Sequence, residues 1–270
     1  MTVGSGISPD LLTPLSRKAA RGLVRSRLTY RRWGISPRPE NAHRLPRGHP
    51  LCNSKNDVTK GQSDAPEPSF HDAEDIQNLD FARERGFGVL AVNGLDTPLM
   101  AHVPFLLNAA GDSIDLHLVR SNPIARALKK PLNAKIAVSG GDSYISPDWY
   151  EIADQVPTWN YVAVHLTGTL ERRPQEELHA LLDRQSAFYE NRLLPKPPWK
   201  TDKMTPEVME KMMRMILPCR MQVTAVDGTW KLSQNKPDEV RLRAAKQTAA
   251  YGFGSETEVL AAQMIGAKSG

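Results

Sequence analysis

The chain has 270 residues, a net charge of +5, 40% hydrophobic residues and two cysteines. This length allows one substantial core with a small appended element, and no apolar run approaches the ~20 residues that cross a membrane. Two cysteines, one near each end of the chain, make neither a disulfide framework nor a metal site. We therefore expect a cytoplasmic protein without a membrane partner and without a metal.

The positive charge is concentrated at the N-terminus. Residues 1–65 carry twelve Lys and Arg against four Asp and Glu, a net charge of +8, so the remaining 205 residues carry −3. We expect this segment to be a disordered arm or the product of a mis-called start codon. A targeting segment, or a non-specific contact with nucleic-acid phosphates, is the alternative.

The first half of the remaining chain predicts one helix followed by three strands. The helix has a capping residue at its start and a glycine at its end, and an Asn-Gly pair predicts a hairpin between the first two strands. These elements are a helix over 73–85, capped by Asp72 and ended by Gly86, and strands over 87–92, 97–107 and 113–119.

The second half alternates strands and helices. Asn122 and Pro123 open a short helix that extends to about Lys130. Asn is a common capping residue, and Pro fits the first helical position because the N–H that it lacks would have no partner within the helix there. The other predicted elements are strands over 134–139, 160–171 and 220–232 and helices over 174–191, 206–215 and 237–250, with a weaker helix near Glu258.

Hairpin-linked strands with helices between them predict an α+β protein, an antiparallel barrel with peripheral helices. We expect the barrel domain to occupy residues 66–235 and a C-terminal helical extension to occupy 236–270.

Two aromatic segments stand out in a chain with only 6% aromatic residues. Tyr144-Ile-Ser-Pro-Asp-Trp-Tyr150 and Val156-Pro-Thr-Trp-Asn-Tyr161 place rings beside hydroxyls and amides on a backbone stiffened by proline. Such a set suits a planar polar ligand. The alternative is an aromatic corner of the core or a subunit interface.

A second candidate lies where the short helix begins. Arg120, Ser121 and Asn122 precede it and Arg126 follows one turn later. The free N–H groups of a helix start, with two guanidinium groups, suit a phosphate. The alternative is an ordinary capped helix with arginines nearby.

A third candidate is Lys231-Leu-Ser-Gln-Asn-Lys236, which offers two cations, two amides and a hydroxyl at a strand end. These groups recognise a carbonyl-rich heterocycle or a phosphate, although a solvated strand end has the same composition. His102, His117 and His165 lie in predicted strands without metal-ligand spacing, so we expect hydrogen-bonded wall residues, with an axial haem ligand as the less favoured interpretation.

Together these motifs resemble the PaiB-like family, described as FMN-binding negative transcriptional regulators. The resemblance covers about residues 68–245 and rests on six pieces, His102-Val-Pro104, His117 with Asn122-Pro123, the two aromatic segments, Val164-His165 and Lys231-Leu-Ser-Gln-Asn235. It implies a split β-barrel of about six strands and a homodimer that holds FMN at the subunit interface.

The resemblance also directs attention to a set of cofactor-binding candidates. The expected flavin-binding residues are His117, Arg120, Ser121, Asn122, Arg126, Tyr144, Ser146, Trp149, Trp159, Asn160, Tyr161, His165, Lys231, Gln234 and Asn235. Within this set we expect the phosphate at Arg120–Arg126 and the ring near the aromatic segments.

Three functions compete at this point. The first is a negative transcriptional regulator or flavin sensor, with DNA as a partner, although the chain has no recognisable DNA-reading motif. The second is a flavin-dependent oxidoreductase or flavin reductase, in which the cofactor does the chemistry. The third is a haem-binding barrel. The sequence does not decide whether a substrate is turned over.

Overall fold

The computed structural model describes Ala65 and residues 67–268, so the basic arm before Ala65, including Cys52, lies outside the described residues. Six strands form one closed antiparallel barrel in the order β1-β2-β3-β6-β5-β4, which confirms the predicted α+β architecture. The strands are β1 Phe87–Val92, β2 Leu99–Leu107, β3 Ser113–Val119, β4 Leu132–Ile145, β5 Thr158–Arg172 and β6 Ile216–Lys231.

The helices lie before, between and after the strands, as predicted. Asn122 caps α2 through its side chain, and Gly86 ends α1 in the left-handed conformation at φ 59°. Asp72 does not cap α1, because it instead ends a 3-10 turn at Pro68–His71. The helices are α1 Asp75–Arg85, α2 Pro123–Ala127, α3 Leu178–Glu190, α4 Pro206–Met213, α5 Asp238–Tyr251 and α6 Thr257–Gly266.

The barrel interior follows the alternation read from the sequence. Along β5, Val162, Val164 and Leu166 are buried, whereas Ala163 and His165 lie on the outer face and are half-buried. Successive side chains of a strand point to opposite faces, so a strand with one face in a core alternates buried and more exposed residues.

Three strands are longer than predicted. β4 continues from the predicted 134–139 segment to Ile145, through a bulge between Ser139 and Asp142 where two glycines interrupt the alternation. β6 begins at Ile216, before Pro218, although proline normally argues against a strand interior. Strand pairing with neighbours therefore overrides the local signals that end a strand.

β6 determines where the candidate residues lie. Its first residues pair with the end of β3, where Val119 is opposite Ile216. Its last residue, Lys231, is opposite Tyr161 near the start of β5. The helix start after β3 and the lysine-rich segment after β6 therefore occupy opposite ends of the same strand.

The longest described helix, α5, has 14 residues. None of the helices within the described residues combines the length and the hydropathy that crossing a membrane requires.

Gly168 gives a test of the strand packing. It lies at the bulge in the β5–β6 pairing, and a Cβ there would come within 2.0 Å of the Gln222 carbonyl oxygen. Because that oxygen belongs to the backbone of a paired strand, it cannot move aside without breaking the pairing. We expect Gly168→Ala to lower the free energy of unfolding by about 2–3 kcal/mol, measured by urea denaturation.

The matched control is Gly266→Ala. A Cβ at Gly266, the last residue of α6, would meet nothing within 4 Å, so this variant should stay within about 0.5 kcal/mol of the wild type. Equal stabilities of the two variants would contradict the β5–β6 register.

Candidate functional site

A cavity of about 320 Å³ lies where β5 begins and β6 ends. The antiparallel pairing of Tyr161 with Lys231 brings the two strand ends together. A 3-10 turn at Pro147–Tyr150, capped by the Ser146 hydroxyl, adds Tyr150 to the wall. The turn and the start of β5, which are close in sequence, therefore meet the distant end of β6 at one place.

Three buried polar side chains form the inner wall. The Ser233 hydroxyl is 2.8 Å from the Tyr150 hydroxyl and accepts a hydrogen bond of 2.8 Å from the Asn160 amide. Burial raises the pKa of Tyr150, with the Ser233 hydrogen bond acting in the opposite direction. Tyr150 therefore remains a neutral donor and acceptor at physiological pH.

One acceptor in this wall has no protein partner. Asn160 is 1% exposed, and its Oδ1 atom makes no hydrogen bond to any described residue. A buried polar atom left unpaired costs about 1–3 kcal/mol, and nearly all such atoms have partners. Because Asn160 lines the cavity, a donor from a ligand is a physically sensible partner for Oδ1.

Two lysines supply positive charge to the same cavity. The Lys231 ammonium donates a 2.6 Å hydrogen bond to Thr158 and lies 5.8 Å from the Phe70 ring centroid. Burial lowers the pKa of Lys231, and no described carboxylate forms an ion pair with it. Lys236 donates to Gln155 at 2.6 Å and lies over the Tyr150 ring.

Ser233 has an unusual backbone. Its φ of 63° is in the left-handed region, which a non-glycine residue rarely adopts and which costs roughly 1–3 kcal/mol. This conformation turns the chain sharply after β6, so that Ser233 and Lys236 both reach the cavity.

Neighbouring Gln234 has a structural role. Its Oε1 accepts from the Leu232 amide, and its Nε2 donates to the carbonyls of Ser69 and Trp230. These bonds occupy both ends of the side chain and hold the turn in place. Asn235, by contrast, is exposed and lines the cavity.

The other residues predicted in the aromatic segments are placed differently. Tyr144 and Trp159 are edge-to-face neighbours, with ring centroids 6.4 Å apart, and Trp159 lies between two cavity residues in the sequence. Trp149 packs against the hydrophobic core, which is the alternative considered for these rings. Tyr161 and His165 lie on the half-buried outer face of β5.

The second group of predicted residues lies at the end of β3 and the start of α2. Asn122 caps α2 by accepting from the Ile124 amide at 2.8 Å. Arg120 donates to the Arg214 carbonyl at 2.7 Å, whereas Ser121 and Arg126 are exposed. With five residues, α2 is too short to act as a phosphate site through its dipole alone.

His117 is a half-buried member of this second group, and its Nδ1 atom is fully buried. Its Nδ1 has no hydrogen-bond partner among the described residues. Burial lowers the pKa of His117, and a hydrogen bond with Gln185 on α3 acts in the opposite direction. His117 is therefore neutral at pH 7.

One protomer does not bring the two groups into a single cavity. They lie at opposite ends of β6, which has 16 residues. At ~3.3 Å per residue the strand is about 50 Å long when measured along its backbone. The expected set therefore divides into a cavity group around Lys231 and Asn160 and a helix-start group around Arg126 and His117.

Several cavity residues were not in the predicted set. Thr158 and Ser233 lie inside motifs that were singled out, so inspecting every polar position of those motifs identifies them. Tyr150 likewise ends the first aromatic segment, whereas Phe70 carries no local signal, because only the fold brings it beside Lys231.

Two further observations on the described residues concern metal binding and the chemistry of the Cys219 thiol. No group of three or more His, Cys, Asp and Glu within them is placed to hold a metal ion. Burial raises the pKa of the Cys219 thiol to about 12, so this cysteine is not a nucleophile.

These features define a class of protein, a six-stranded antiparallel barrel with a small polar, lysine-lined cavity at the strand ends. Residues 66–225 match the family described as "Putative FMN-binding domain". The match spans more than half of the chain, so the chain belongs to this PaiB-like FMN-binding family.

One protein similar in sequence and one similar in structure illustrate the range of similarity. The chain is 29% identical over 181 residues to "Protease synthase and sporulation protein PAI 2" of Bacillus subtilis, covering 65% of this chain and 83% of that protein. It is also similar in structure to the FAD and heme binding protein of Mycobacterium smegmatis, with a TM-score of 0.44 and 16% identity over 69% of this chain and 82% of that one.

The lowered pKa of His117 predicts a specific acid sensitivity. The unfolded chain binds this proton below about pH 6.5, whereas the folded chain resists it. The contribution of His117 to stability is therefore complete above pH 6.5 and is lost as the pH falls toward the lowered pKa. We expect His117→Gln to lose less unfolding free energy than the wild type between about pH 7 and 5.

Urea denaturation at each pH measures this difference. His179→Gln is the control, since His179 is exposed on the same helix that covers His117. If the pH dependence of His117→Gln equals that of the wild type, burial does not set the protonation of His117.

Proposed function

We propose that this protein binds FMN and that the cavity group forms part of the binding site. Two features of the same cavity carry the proposal, an unsatisfied buried acceptor, Asn160 Oδ1, and a lysine that forms no ion pair with a described acid, Lys231. A flavin has both complements, N–H and hydroxyl donors for the amide oxygen, and carbonyl or phosphate oxygens for the ammonium group.

The size of the cavity can also be compared with the size of the ligand. The cavity volume of about 320 Å³ is at the small end of the range for ligand pockets. It is large enough for part of FMN, and the remainder needs a second surface. When bound, a flavin supplies electron and hydride transfer, while Lys231, Asn160 and Ser233 bind and orient it.

We further propose that a second copy of the chain supplies that surface. The helix-start group, with Arg120 and Arg126, lies far from the cavity within one protomer and suits a phosphate. A homodimer in which α2 of one copy faces the cavity of the other brings the two groups together. The outer faces of β1 and β2 carry Phe87 and Met100, 52% and 64% exposed, and covering such apolar surface favours association.

Loss of Lys231 should weaken flavin binding without unfolding the protein. We expect the purified full chain to carry one flavin per subunit of a dimer. Lys231→Ala should lower FMN affinity at least about tenfold, since a charge-assisted hydrogen bond is lost, and Trp159→Ala should also lower occupancy. Flavin absorbance and fluorescence titration measure the effect, with Lys200→Ala, an exposed lysine on a loop, as the control.

A mixed dimer distinguishes a shared site from a site within one protomer. When Lys231→Ala and Arg126→Ala chains are combined and the mixed dimers are isolated, a shared arrangement leaves one of the two sites intact, and these dimers recover about half of the wild-type flavin. No recovery contradicts the shared site. Full flavin retention by both Lys231→Ala and Trp159→Ala would overturn the cavity assignment.

We propose negative regulation of transcription as the role of the flavin-bound protein. The supporting observation is a run of 26 residues between Asp115 and Asp142 that contains no acid. Within it, Lys129, Lys130 and Lys135 are exposed and form no ion pair with described acids. Unneutralised lysines favour contact with DNA phosphates.

The salt dependence of DNA binding tests this role. We expect the full chain to bind a duplex of about 30 base pairs, and replacement of all three lysines by Ala to make the plot of log K against log salt shallower by up to about 3. Fluorescence anisotropy between about 50 and 200 mM salt measures the slope.

The control replaces three exposed lysines elsewhere, Lys200, Lys211 and Lys246. It removes the same charge, so an equal change in slope would mean that net charge alone explains binding. Rapid anaerobic bleaching of the flavin by NADH or NADPH, without DNA binding, would favour an oxidoreductase instead.

A further inference from the structure

The segment between α5 and α6 lies along the outer part of β4. The Asp142 amide donates to the Ser255 carbonyl at 2.8 Å, and the Tyr144 amide donates to the Phe253 carbonyl at 3.3 Å. β1 pairs with β4 only between Ala134 and Ala137. The C-terminal segment therefore takes over the β4 edge that β1 does not cover.

Local contacts hold this segment in one place. Gly254 has a φ of 146°, and a Cβ there would lie 2.2 Å from the Asp142 carbonyl oxygen. Such a close approach of two backbones requires glycine. On the other side, the Arg85 guanidinium contacts both carboxylate oxygens of Glu256 at 2.8 Å.

Phe253 completes a cluster of three rings. It stacks on Tyr144 with centroids 5.5 Å apart and 18° between the planes, and it meets Trp159 edge-to-face at 5.7 Å. Phe253 is 61% exposed and Trp159 43%. Three rings that contact one another and still present much of their surface to solvent form an open aromatic surface rather than part of the core.

The cluster and the cavity share the start of β5. Trp159 lies between Thr158 and Asn160, which line the cavity, but its exposed side chain points to the opposite face of the strand from buried Asn160. Tyr144 is opposite Trp159 in the β4–β5 pairing. A ligand held by its polar end in the cavity would have to extend around the start of β5 to place a flat ring on this aromatic surface.

We propose that Phe253 is a binding residue for the flavin ring, which it contacts as part of this open aromatic surface. The inference rests on the proposed FMN binding and adds a residue outside the family match, which ends at residue 225. Ring faces attract planar heteroaromatic ligands beyond the effect of area alone. Phe253 thereby favours a flavin over ligands that have the phosphate but lack the ring.

Two substitutions of Phe253 separate the ring from simple bulk. Phe253→Leu keeps an apolar side chain of similar size, and because the residue is largely exposed, this variant should fold with an unchanged thermal midpoint. We expect it to bind FMN about fivefold or more weakly, the loss expected for one aromatic contact. Its bound flavin absorption bands should shift toward those of free FMN. Phe253→Tyr should restore both the affinity and the spectrum.

The control is Tyr251→Ala. Tyr251, at the end of α5, is 74% exposed and makes no ring contact within the described residues, so FMN affinity should not change. Wild-type affinity and spectrum in Phe253→Leu, or no rescue by Phe253→Tyr, overturns the role of Phe253 alone. A wild-type chain that binds no FMN overturns the proposed function together with this inference.

Discussion

The antiparallel pairing of β5 with β6 is the constraint on which the rest of the site depends. It runs from Tyr161 opposite Lys231 to Arg172 opposite Cys219. One end of this ladder places Lys231 beside Thr158 and forms the cavity. At the other end of the ladder, β6 pairs with β3, and α2 follows β3 in the chain. The same ladder that builds the cavity therefore separates it from the helix-start group.

Unpaired buried atoms occur in both groups. Asn160 Oδ1 belongs to the cavity, and His117 Nδ1 lies beneath α3 near the helix start. Each such atom destabilises the folded chain by about 1–3 kcal/mol unless a partner is supplied. Together with the left-handed conformation of Ser233, these costs are concentrated where a ligand is proposed to bind, as is common at functional sites.

Much of the architecture could be predicted from local patterns. The alternation along β5, the Asn122 cap and the Gly86 helix end all occur as expected, because each depends on neighbours a few residues away. The continuation of β4 past its glycine pair was not predicted, since only pairing with β5 holds that stretch as a strand. The structural role of Gln234 was also not foreseen, because its partner Ser69 is 165 residues away.

The sequence by itself determined the barrel class, the motifs that carry the family resemblance and the polar residue types available to a ligand. Only the tertiary structure decided which of those residues meet. It joined Lys231, Asn160 and Tyr150 around one cavity, packed Trp149 against the core, and set Phe253 beside Trp159. The physical reason is that strand register and chain closure, not local propensity, determine contacts between residues far apart in the chain.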